Sequence, residues 1–149
     1  DLLGTPTREL TFRFTIGSQH NDVLAYWEPG APNFADRFMS LCLAHGQGWQ
    51  TSVSIEPMLN TSVEDVVALV GMVAPSVTDS IWIGMMNSAE ARVRMNGHAD
   101  RVGMTVALTQ LLREPSVVQD LWLALRGRSP VRWKDSIKAM LGLPEEDVG

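Results

Sequence analysis

Three short stretches of this chain alternate polar with apolar residues in strict period two. In the first, Thr11, Arg13 and Thr15 alternate with Phe12, Phe14 and Ile16, and Gly17 and Ser18 follow. In the second, Ser52, Ser54 and Glu56 alternate with Val53 and Ile55. In the third, Ser80, Trp82 and Gly84 alternate with Ile81 and Ile83. On strands, that period puts hydroxyls, a guanidinium and a carboxylate on one face and greasy side chains on the other. Parallel barrels normally fill their interiors with aliphatic residues. Polar groups buried without partners cost about 1–3 kcal/mol each. A polar inner face on three strands therefore implies a hollow holding a polar ligand and water, or Arg13 paired with Glu56 across the interior. Glu56 could also serve as a general base. Gly17 and Gly84 close their strands at the end where parallel α/β folds keep their sites, and glycine there admits a ligand close to the backbone or simply turns the chain.

Other chemistries have little support. Cys42 is the single cysteine of 149 residues and sits in an apolar helical run, so it reads as a small buried hydrophobe. It allows no intrachain disulfide, which points to a reducing compartment and a cytoplasmic location. His20, His45 and His98 show no metal-ligand spacing and read as surface or capping residues. Arg126, Arg128, Arg132 and Lys134 form a small basic cluster, either a solvated helix end or a phosphate contact. A net charge of −5 is a poor match for nucleic-acid phosphates, so a nucleic-acid partner has no support here. No stretch is apolar for long enough to span a membrane.

The elements that must position these residues follow from pattern and punctuation. Strands are expected over 11–17, 51–56 and 80–84. A short helix over 22–27 stops before Pro29. A longer one runs from an Asn33 cap to about 45, closed by Gly46 and Gly48. Ser62 opens the next helix with a capping-box-like start. It buries Val66, Leu69, Val70 and Val73 and ends at Pro75. Strand alternating with helix argues for βα units and a parallel sheet, an α/β class. Beyond it a polar loop over 87–97 leads into helices expected over 100–112, 116–125 and 130–141. Ser116 and Gln119 form a capping box, and Ser129 and Pro130 open the last helix. The organisation reads as residues 1–87, half of a (βα) barrel, and 88–149, a helical extension with a frayed acidic tail.

The blocks Phe12-Arg13-Phe14-Thr15-Ile16-Gly17-Ser18, Trp27-Glu28-Pro29-Gly30-Ala31-Pro32, Ser52-Val53-Ser54-Ile55-Glu56-Pro57-Met58-Leu59, Ile81-Trp82-Ile83-Gly84-Met85-Met86-Asn87 and Val131-Arg132-Trp133-Lys134-Asp135-Ser136-Ile137-Lys138 occur in order. Together they resemble the spore photoproduct lyase-like group of radical S-adenosylmethionine (SAM) proteins. The resemblance implies the second half of a partial (βα)6 barrel. Its first half would carry a Cys-x3-Cys-x2-Cys loop for a [4Fe–4S] cluster and the segment that holds the methionine amino group. In that family the cluster cleaves SAM to a 5′-deoxyadenosyl radical, which takes a hydrogen atom from substrate. The residues implied in SAM binding are Arg13, Thr15 and Ser18 on the first strand and its end, with Thr15 and Ser18 at the ribose. Ser54 and Glu56 follow on the second strand, and Gly84 and Asn87 lie beside the adenine. The family carries a lysine where this chain has Met85. One cysteine cannot supply the three protein ligands of such a cluster, so the chain alone is expected to be inactive.

Three expectations compete. The chain is the SAM-binding part of a longer enzyme, consistent with a first residue that is not methionine, and it needs the cluster-bearing half as partner. Or it is a non-catalytic half-barrel that binds a ligand or another chain. Or it is part of an unrelated barrel enzyme using Glu56 as base. An uncovered first strand predicts self-association or marginal stability of the isolated chain.

Overall fold

The computed structural model describes residues 10–86, 89–97 and 114–144. The element order is β1 (Thr11–Thr15), α1 (Asn21–Trp27), α2 (Phe34–Gly46), β2 (Gln50–Ile55), α3 (Val63–Val73), a 3-10 turn (Ala74–Ser76), β3 (Ser80–Ile83), α4 (Ala89–Met95), α5 (Pro115–Leu125), β4 (Val131–Trp133) and α6 (Asp135–Leu141). The four strands form one sheet in the order β1-β2-β3-β4, and every neighbouring pair is parallel. Each strand is followed by helix, because a parallel return needs a crossover long enough to carry the chain back along the sheet.

Register sorts the side chains into the two faces that the alternation predicts. Phe14, Val53, Ile81 and Val131 align on one face, and Ile55, Ile83 and Trp133 on the next row of it. This face packs under the helices. Ile16, Val53, Ile55, Ile81 and Ile83 are wholly buried there with Leu41 of α2, Val66 and Leu69 of α3, Leu121 and Leu125 of α5 and Ile137 of α6. Each such side chain contributes roughly 1.5–3 kcal/mol on leaving water. Phe12 shares this face but remains 43% exposed at the edge of the sheet, where it meets Trp49 edge-on with centroids 4.9 Å apart.

Local signals hold the crossovers in place. Asn33 Oδ1 accepts the backbone N–H of Asp36 at 2.9 Å, and Ser62 Oγ accepts that of Asp65 at 3.2 Å, so both expected caps form. Pro75 lies in the 3-10 turn that ends α3.

Three expectations are corrected. Residues 130–141 do not form one helix: Val131–Trp133 is a fourth parallel strand, and only Asp135–Leu141 is helical. Pro130 there leads into a strand, its carbonyl accepting from Ile81 N–H at 2.9 Å. The stretch over 87–97 is not all loop, since Ala89–Met95 is helical. Helix α5 begins at Pro115 with Glu114 as its N-cap position, so Ser116 and Gln119 make no capping box. The helix expected over 100–112, Asn87, His98 and the acidic tail from residue 145 lie outside the described residues. Among the described residues no helix is long and apolar enough to cross a membrane.

Candidate functional site

The opposite face of the sheet carries the polar residues. Arg13, Ser52 and Ser80 align in one row; Thr15, Ser54, Trp82 and Arg132 align in the next. Glu56, Gly84 and Lys134 continue their strands by one residue at the C-terminal end. Arg13 and Thr15 are exposed, whereas Ser52, Ser54 and Ser80 are buried. Ser52 and Ser80 partner each other, Oγ to Oγ at 3.3 Å, and Ser80 Oγ donates to Asp79 Oδ2 at 2.8 Å. These two serines are therefore satisfied internally.

At the C-terminal edge the connection from β2 to α3 hangs between the ends of β1 and β3. Leu59 N–H donates to the Gly17 carbonyl at 3.2 Å, and Met58 N–H to that of Gly84 at 3.0 Å. A Cβ on Gly17 would come within 2.8 Å of the Leu59 side chain and the Pro57 carbonyl. A Cβ on Gly84 would stand inside the Glu56 carboxylate. What approaches these two glycines closely is thus the chain's own β2–α3 segment. Glu56 does not reach for Arg13. Its Oε1 lies 3.9 Å from Lys134 Nζ, both side chains about one-third exposed.

Ser18 is fully buried and faces the loops. Its Oγ donates to Asn60 Oδ1 at 2.5 Å and accepts from His20 N–H at 3.0 Å. Asn60 Nδ2 in turn donates to Gln19 Oε1 at 2.8 Å, and Gln19 Nε2 to the Asp65 carbonyl at 3.1 Å. This network ties the β1–α1 loop to the start of α3. Met85 is buried in the helix-side core, its N–H donating to Ser136 Oγ at 3.1 Å.

Beside the outer edge of β1 lies an open depression of about 430 Å³ lined by Arg13, Thr15, Glu28, Pro32 and Arg37. Arg37 braces it. Its Nη2 donates to Glu28 Oε2 at 2.5 Å, its Nη1 to the Thr15 carbonyl at 3.1 Å and its Nε to the Pro32 carbonyl at 2.8 Å. Arg13 makes no ion pair among the described residues.

Sequence reasoning missed Arg132 and Lys134 as members of this face, because it assigned them to a helix. The Arg132 guanidinium carbon lies 5.7 Å from the Trp82 ring centroid and Lys134 Nζ lies 5.2 Å from it. The available signal was the alternation of apolar Val131 and Trp133 with Arg132 and Lys134.

The donor set at the C-terminal end of this face comprises hydroxyls at Thr15 and Ser54, a carboxylate at Glu56 and the guanidinium of Arg13. It does not fit an iron–sulfur cluster. Cys42 Sγ lies on α2, on the helix side of the sheet, 3.5 Å from Ser76 Oγ, and no three His, Cys, Asp or Glu side chains converge among the described residues. His20 is exposed at the N-cap position of α1, 3.3 Å from Asp65, and His45 is exposed in the last turn of α2.

No protein-family model matches this chain, nor does any curated protein or solved structure.

Proposed function

We propose that this chain supplies the SAM-binding half of a radical SAM enzyme. The observation that carries the reading is a set of polar residues on one face of the sheet. Arg13, Thr15, Ser54 and Glu56 leave parallel strands on the face turned away from the helices, next to the C-terminal edge. Arg13, Thr15, Ser54, Glu56 and the backbone at Gly84 would hold the ligand, Thr15 meeting the ribose and Ser54 and Glu56 the polar groups beyond it. Ser18 would act indirectly, by fixing the loop after β1. SAM, when bound, supplies a 5′-deoxyadenosyl radical for hydrogen-atom abstraction. The reductive chemistry belongs to a cluster-bearing partner, since this chain lacks the thiolates.

The same reading gives the outer edge of β1 a partner, the barrel half that holds the cluster. A non-catalytic ligand-binding module is the second reading. Equilibrium dialysis of the chain against radiolabelled SAM tests the binding that both readings share. Formation of 5′-deoxyadenosine, once the chain is paired with an anaerobically reconstituted cluster-bearing half, separates them. Failure to retain SAM at about 1 mM ligand would remove both.

A further inference from the structure

Two cations on the polar face are left unused by the SAM reading. Trp82 and Arg132 are register partners across β3 and β4, and Lys134 follows two residues later on the same side. Both cations lie over the Trp82 ring. Arg132 meets no carboxylate among the described residues, and Lys134 meets one, Glu56, at the outer limit of an ion pair. The corner thus holds two cations against a single acid. A guanidinium engaged by a ring face keeps its in-plane N–H donors for an acceptor, and the ring holds the side chain in a defined plane. The partly exposed Glu56–Lys134 pair is worth at most about 1 kcal/mol, so an incoming anion can share or displace it.

Arg132 also borders an open cleft of about 280 Å³ with Arg128, Ser129 and Asp79, at the N-terminal ends of β3 and β4 and away from Lys134. The acid on that cleft, Asp79, is engaged by the Ser80 hydroxyl. A polyanion is a poor occupant for a chain of net charge −5, whereas a small oxyanion needs only this local excess of positive charge.

We propose that Arg132 and Lys134, backed by Trp82, seat the oxyanion of a small substrate, a carboxylate or phosphate monoester bound on the polar face. The arginine offers a planar two-donor fork and the lysine a point charge beside it. The proposal rests on reading this face as a ligand site, and it names the charged end of the substrate that would lie there.

The test titrates the full chain with sodium phosphate and sodium acetate at ionic strength held constant with sodium chloride. Binding is followed by the Trp82 indole N–H resonance and by the thermal midpoint. The seat predicts saturable binding in roughly the millimolar range, weakened about tenfold in Arg132→Gln and in Lys134→Gln and partly recovered in Arg132→Lys. Preference for phosphate or for acetate assigns the source of the oxyanion. A wild-type chain that shows no saturation, or variants that titrate like it, overturns the seat. The same samples are probed with S-adenosylhomocysteine. Binding of that nucleoside without either anion removes the seat and leaves the SAM reading standing. Binding of an anion without the nucleoside does the reverse.

Discussion

The carboxylate of Glu56 lies over the Cα of Gly84, in the space a methyl group on that residue would take. The glycine at the end of β3 is therefore what lets Glu56 fold across the strand toward Lys134. Gly84→Ala must push the carboxylate aside or shift the backbone, at about 1–3 kcal/mol. In chemical denaturation, the same substitution made in a Glu56→Ala background should cost much less. Equal losses in the two backgrounds would show that the contact does not matter.

Ser18 and Asn60 form a second pair worth measuring. Ser18 Oγ is fully buried and bonded to both Asn60 and the His20 N–H. Ser18→Ala strands those partners and should cost about 1–3 kcal/mol. Because the two residues share one network, Ser18→Ala and Asn60→Ala together should cost clearly less than the sum of the two. A purely additive double mutant would show that the hydroxyl and the amide act independently.

The two formed caps give a simpler expectation. Asn33→Ala and Ser62→Ala each remove the acceptor for a first-turn N–H and should each cost about 1 kcal/mol in denaturant midpoint with unchanged slope. No change at either site would mean that water satisfies that N–H equally well.

Much of this architecture was legible in residues 11–84. Period-two alternation assigned Phe14, Val53 and Ile81 to the helices and Arg13, Ser52 and Ser54 to the other face, and parallel register keeps those rows aligned. Strand β4 was not legible. Three residues behind Ser129 and Pro130 carry too little periodicity to outweigh a helix-start signal, and their strand character comes from pairing with β3. The site was legible in residue type more than in role. Thr15, Ser54 and Glu56 sit on the expected face, but Ser18 turns inward, where Asn60, 42 residues away, accepts its hydrogen bond. Gly17 and Gly84 were read as approaches for a ligand or as turns, and the groups lying against them come from the chain's own β2–α3 segment. Such long-range partners leave no local pattern.

Thr15→Val and Ser54→Ala remove one hydroxyl each while roughly keeping side-chain size. If these groups hydrogen-bond the nucleoside, each should weaken S-adenosylhomocysteine binding about threefold to tenfold by calorimetry. Thr15 is exposed, so its variant should retain the thermal midpoint of the parent chain. Unchanged affinity in both would remove these hydroxyls from the ligand set.

The most direct test of the account is a backbone amide map of the isotopically labelled chain titrated with S-adenosylhomocysteine. Shifts concentrated at Thr15, Ser54, Glu56 and Gly84, with α2 and α3 silent, are the predicted result. Shifts confined to the helix layer, or none at saturating nucleoside, would contradict it.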